Sequence, residues 1–180
     1  MKLAHALPFA ALASAWVIDG RHQSEHPVRD MANAMARFTS TMAGNPNLFI
    51  DEIVAATGEL HVRLKAGVET LKSSGLNGPE HVANLLWLGQ KLGPFGRSMH
   101  ESVVGQKETV ERNGYCYIME HAVDAVQTDF YSFGDYMGGA VPQHEKAAAA
   151  SYAEGILTIL NDAKAQFTKD HCTNASPPSA

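Results

Sequence analysis

The sequence predicts an all-α fold, an antiparallel bundle of about five helices. Three observations point there. Apolar residues recur at steps of three and four along most of the chain. Between about residues 24 and 171 there is almost no alternation of the strand kind. The periodic stretches are punctuated by short clusters of Gly, Pro and Asn, and short loops between long helices make antiparallel neighbours. With 180 residues, 45% hydrophobic and 18% charged, the chain can bury one domain core.

The first helix is expected from about Ser24 to Ala43, with Ser24 as cap and Pro27 in the first turn. In "VRDMANAMARFTSTM" the residues Val28, Met31, Met35, Phe38 and Met42 share one face, and "GNPN" ends the element. The second runs from about Leu48 to Ser73. Its apolar face is Ile50, Ile53, Thr57, Leu60, Leu64, Val68 and Leu71, and "SSGLNG" breaks the chain after it. The third starts at Pro79 and carries Val82, Leu85, Leu86, Leu88 and Leu92. Gly93-Pro94 should break it, because a proline inside a helix removes a hydrogen bond and clashes with the preceding turn. Phe95, Met99, Val103 and Val110 continue the pattern as far as "RNG". The fourth runs from about Tyr115 to Met137, with Met119, Ala122, Val126, Phe130, Phe133 and Met137 inward. After "GGAVP" the fifth runs from about His144 to Lys169, with Tyr152, Ile156, Ile159, Leu160, Ala163 and Phe167 inward.

Residues 1–15 read as a secretory signal: Lys2, then the apolar, small-residue stretch "LAHALPFAALASA", with Ala13-Ser14-Ala15 fitting the cleavage site. A short buried N-terminal helix is the competing reading. The bundle domain is then 24–172, and "TNASPPSA" at 173–180 is expected to be a disordered tail. Secretion makes Cys116 and Cys172 a disulfide pair rather than free thiols. The helices support this. Cys116 opens the fourth and Cys172 follows the fifth, so an antiparallel hairpin turning near residue 141 returns both to the same end.

The search for chemistry finds little. The net charge of −5 and the absence of a basic stripe argue against nucleic acid. No apolar run is long enough to be a transmembrane segment. Nine histidines raise a metal site, but no Glu-x-x-His or His-Glu-x-x-His occurs, and His22 and His26 read as surface residues beside Pro27. Ser98 and His100 in "GPFGRSMH" lack the second glycine and the strand of a nucleophile elbow. Glu120, His121 and Asp124 read as a solvated face. The expectation is therefore no catalytic residue, no cofactor and no metal. What stands out is the interior, with its methionines and with Gly58, Gly67, Gly105, Gly134 and Gly155 inside helices. From the residues alone this is an ordinary core in which Met fills gaps. The sharper alternative is an adaptable centre that opens around an apolar guest.

One resemblance bears on that choice. The helix "HPVRDMANAMARFTSTM", the stretch "GLNGPEHVANLLWLGQKLGPFGRSMHESVVGQKETVERNG" and the turn "GDYMGGAVP" follow one another. In this order they resemble the fungal hydrophobic surface-binding protein A family, which includes cell-wall galactomannoproteins, over about residues 27–168. Two features depart from that family: the cysteine pair, and a tail much shorter than a Ser/Thr-rich stalk. The resemblance implies a secreted, non-enzymatic five-helix bundle, associated with the cell wall, that binds lipids such as long-chain fatty acids, or hydrophobic surfaces. The residues expected to line the site are Met35, Phe38, Met42, Leu64, Met99, Met119, Phe130, Phe133, Ile156 and Leu160. A structural wall protein with a closed core is the alternative.

Overall fold

The computed structural model describes residues 27–44 and 50–175. The signal segment 1–15, His22, His26 and residues 176–180 lie outside them. Among the described residues the regular structure is entirely helical. Five long helices are α1 (Pro27–Gly44), α2 (Ile50–Ser73), α3 (Pro79–Val104), α5 (Cys116–Ala140) and α6 (Lys146–Ala165). A short α4 (Lys107–Arg112) follows α3, and a single 3-10 turn (Gln143–Glu145) precedes α6.

The apolar stripes decide which faces turn inward. Val28, Met31, Met35, Phe38 and Met42 of α1 are all buried, as are Ile53, Thr57, Leu60, Leu64, Val68 and Leu71 of α2. The buried hydroxyls of Thr39 and Thr57 turn back on their own backbone. Thr39 donates to Met35 O at 3.0 Å and Thr57 to Ile53 O at 2.8 Å. A hydroxyl satisfied this way can sit on a buried face without a partner across the core.

The expected break at Gly93-Pro94 is absent. Helix α3 runs through Pro94 as one element and ends at Gly105 instead. Leu88, Leu92, Phe95, Met99 and Val103 form one uninterrupted buried stripe across the proline. Packing of that stripe outweighs a helix-interior cost of about 3 kcal/mol. The carbonyl deprived of its donor is that of Gln90, an exposed residue, so water can serve it.

The long helices form a closed ring. Helix α1 packs on α2, α2 on α5, α5 on α6, α6 on α3, and α3 back on α1. The two hairpins, α1/α2 and α5/α6, are antiparallel. The seam between α2 and α5 is parallel: Asp51 meets Tyr115, and ten residues on His61 meets Asp129. The seam between α3 and α6 is also parallel, since Gly89 faces Tyr152, Gly96 faces Ile156 and His100 meets Asp162.

The two ends of the ring differ. At the distal end α4 crosses from α3 to α5, which are not ring neighbours, and its Val110 is fully buried. Cys116 and Cys172 are disulfide-bonded there, with Cα atoms 5.7 Å apart, as the hairpin argument requires. The tail expected from residue 173 is not loose at its start. Thr173 N donates to Glu111 Oε1, Ala175 N donates to Glu111 O, and Asn174 Oδ1 accepts from Cys116 N at 3.2 Å. That last bond serves an amide at the start of α5 whose own N-cap, Tyr115, supplies no side-chain cap. Among the described residues the proximal end carries the start of α1 at Pro27, the exposed turn around residues 74–78, where Gly75 and Gly78 take φ of 62° and 97°, and the turn after Val141.

Candidate functional site

Helical spacing brings all ten expected lining residues into one interior. Met35, Leu64, Met99, Met119, Phe130, Phe133, Ile156 and Leu160 have no exposed surface, and Phe38 and Met42 have 3% and 6%. Met31 and Met137 join them, so every methionine in the described residues is in the core. An unbranched thioether chain with three rotatable bonds repacks at lower cost than leucine. Through the middle runs a row of rings. Phe38 lies edge-on to Phe95 with centroids 6.0 Å apart, and Phe95 lies 5.7 Å from Phe130. Helices α3 and α5 are not ring neighbours, so Phe95 and Phe130 meet across the centre.

Helix α6 is set deep between α3 and α5 by glycine. A Cβ on Gly96 would strike the Ile156 side chain, and one on Gly134 would stand 2.7 Å from Ala153 Cβ. Gly67 does the same between α2 and α1, where a Cβ would collide with Met31. Gly58 and Gly155 meet nothing within 4 Å, so close approach does not account for them.

Two grooves run between helices on the outside. One of about 510 Å³ lies between α1 and α2, floored by Ala34, Ala56, Ala66 and Gly67, and Phe38 is the one expected lining residue that borders it. The other, of about 590 Å³, lies between α3 and α6 beside His100 and Asp162.

Polar groups at the edge of the apolar interior are few. Asp129 is buried, and its Oδ2 lies 2.7 Å from His61 Nδ1 across the α2/α5 seam. Burial pushes the Asp129 carboxyl above the usual carboxylate range, against the hydrogen bond and charge of His61 and the charge of Lys65. At the proximal end His81 Nε2 lies 3.0 Å from the Tyr136 hydroxyl. His81 is 4% exposed, and burial raises Tyr136 further above its ordinary value, so it stays a neutral phenol. Ser98 Oγ is buried without a hydrogen-bond partner.

His61, Asp129, His81 and Tyr136 are not among the residues expected from the sequence. For His81 the signal was present, because residues 81, 85, 88, 92, 95, 99 and 103 form one stripe and a histidine in it must be accommodated. Ser98 and His100 diverge by two residues on α3, about 200° apart. His100 binds Asp162 Oδ2 at 3.1 Å on the outer groove, so the two do not form a nucleophile and base. Among the described residues no group of three or more His, Cys, Asp or Glu side chains is placed to hold a metal ion. No described helix is long and apolar enough to cross a membrane.

Comparison with solved structures finds the same arrangement of helices. Ligand-binding domain 1 of Penicillium marneffei MP1 protein, in complex with arachidonic acids, superposes with a TM-score of 0.70. The match covers 79% of this chain and 94% of that one, at 10% identity. The chain shares the fold of the MP1 ligand-binding domains. Ligand-binding domain 2 of the same protein, also in complex with arachidonic acids, gives a TM-score of 0.66 at 13% identity, covering 79% of this chain and 90% of that one. A further structure of domain 2, with multiple arachidonic acids, gives 0.64 at 11% identity, covering 79% and 92%. No family model and no curated protein matches the sequence.

Proposed function

We propose that this protein is a secreted, non-enzymatic carrier that takes a long-chain fatty acid, or a lipid with a similar chain, into the interior of its helical ring. The observation that carries the reading is the fold shared with domains whose structures hold arachidonic acids. The lining of this chain's own interior supports it, being soft, aromatic and nearly free of polar groups. Each methylene transferred from water contributes about 0.8 kcal/mol, so a long chain binds well with few polar contacts. The Cys116–Cys172 bond supports an oxidising, extracellular setting. The resemblance to hydrophobic surface-binding proteins fits the same interior, opened against a cell-wall or other apolar surface.

The rival reading is a structural protein with a closed core, and the near-zero exposure of the ten lining residues favours it at rest. Uptake separates the two. The protein is secreted from a host, its lipids are identified by mass spectrometry, and the delipidated protein is titrated with oleate. Stoichiometric uptake supports the carrier. No lipid on isolation and no uptake afterwards leaves an ordinary core.

A further inference from the structure

The two ends of the ring are built differently, and among the described residues only one carries a polar pair that spans the interior. The distal end is covered by α4, the disulfide and residues 173–175. At the proximal end the turns are short and exposed, and His81 of α3 reaches Tyr136 of α5. These helices are not ring neighbours, so the pair stands in the mouth of the interior rather than along an outer seam. The apolar lining begins directly behind it. Leu85 is one turn further along α3, and Phe133 and Met137 flank Tyr136 on α5, all three without exposed surface.

We propose that His81 and Tyr136 are the headgroup end of the lipid site, with the Tyr136 hydroxyl donating a hydrogen bond to the carboxylate of a long-chain fatty acid whose chain runs towards the distal end. The assignment rests on the fatty-acid reading above. In the tautomer with a proton on Nε2, His81 donates to the Tyr136 oxygen, which leaves the phenol hydrogen free to point outwards. Tyr136 is only partly buried, so the carboxylate it holds keeps contact with water, which avoids burying an unpaired charge. The phenol stays protonated, because burial moves its ionisation still higher. His81 lies in the first turn of α3, whose dipole favours negative charge, whereas Tyr136 lies near the C-terminus of α5, whose dipole opposes it.

The other buried polar groups fit a carboxylate less well. Asp129 carries its own carboxyl and is engaged by His61. The Ser98 hydroxyl lies 17 positions beyond His81 on α3, about 25 Å towards the distal end. A fatty acid held there would sit the other way round.

The test compares oleate with methyl oleate, which has the same chain and no charge. Both are titrated into the delipidated unmodified protein, Tyr136→Phe, His81→Phe and Ser98→Ala, with thermal unfolding as a check on folding. Tyr136→Phe should weaken oleate by about ten-fold or more, as expected for a lost hydrogen bond to a charged group. Methyl oleate binding should stay within about two-fold, since the chain contacts are untouched. His81→Phe should lower oleate in the same direction. Oleate affinity unchanged in Tyr136→Phe, or equal losses for acid and ester, overturns the assignment while leaving the carrier intact. Loss of the acid preference in Ser98→Ala alone overturns it by reversing the ligand. Uptake of neither probe by the unmodified protein removes the carrier reading, and this one with it.

Discussion

Opening the Cys116–Cys172 bond should cost this protein about a third or more of the stability typical of a single domain. The bond joins positions 56 residues apart. In the chain-entropy treatment, closing a loop of that length removes about 14 cal/mol/K from the unfolded ensemble, about 4 kcal/mol at 25 °C. Domains of this size are stable by about 5–15 kcal/mol. A loss of 4 kcal/mol corresponds to a fall in Tm of about 8–16 °C. The folded state should not add much to that figure. The amide bonds that seat residues 173–175 on Glu111, and the Asn174 cap on α5, do not depend on sulfur chemistry. The assay is thermal unfolding of the oxidised protein beside a reduced, alkylated sample and the Cys116→Ser/Cys172→Ser double variant, all followed by circular dichroism. Peptide mapping without reductant should recover one cross-linked pair. A fall in Tm below about 4 °C would mean that the distal end is held by α4 and the tail, with the loop-closure reasoning wrong. Two alkylatable thiols in the native protein would remove the premise.

Further outcomes follow from other sites. The folded-state pKa of Asp129 lies above its unfolded value, so this group adds stability as the pH falls through the folded pKa, and that contribution is lost as the pH rises again. Asp129→Asn should therefore remove that gain, so that its Tm relative to the unmodified protein falls as the pH drops from 7 to 3, and a constant difference across that range would clear Asp129 of the effect. Gly58→Ala should stabilise the protein by up to about 1 kcal/mol, because its Cβ meets open space, whereas Gly134→Ala should destabilise it by about 1–3 kcal/mol against Ala153. Chemical denaturation of the two variants gives opposite signs if the seating of α6 is as described. Met35→Trp or Met119→Trp should abolish oleate uptake by filling the interior, at about 1–3 kcal/mol of strain. Full binding by both folded variants would move the site elsewhere.

Much of this was legible along the chain, for a physical reason. Helical periodicity reports which face of each helix is buried, so Met35, Leu64, Phe130, Ile156 and the other stripe residues could be assigned inward from spacing alone. The cysteine pairing was legible because an antiparallel hairpin turning near residue 141 returns Cys116 and Cys172 to the same end. Periodicity carries no information about which faces meet, and the ring order was hidden for that reason. The parallel seams α2/α5 and α3/α6 join helices that are not consecutive. Pro94 misled because a local rule forecast a break, whereas Leu92, Phe95 and Met99 pack on both sides of it. Among the sites, His81 was visible as a polar residue in an apolar stripe, but its partner is 55 residues away. Asp129 was obscured by Phe130 and Phe133 beside it.

The order of the ring also decides where it can come apart. A short loop is a leash: α1 and α2 have one, and so do α5 and α6. No loop runs directly between α2 and α5, whose covalent link goes by way of α3 and α4. Parting that seam leaves both hairpin loops intact and breaks two side-chain contacts, His61 with Asp129 and Tyr115 with Asp51. The molecule is bound like a book, with the two hairpins as covers and α3, which touches α1 on one side and α6 on the other, as the spine. Opened along the α2/α5 edge, such a book exposes the methionines and the row of phenylalanines.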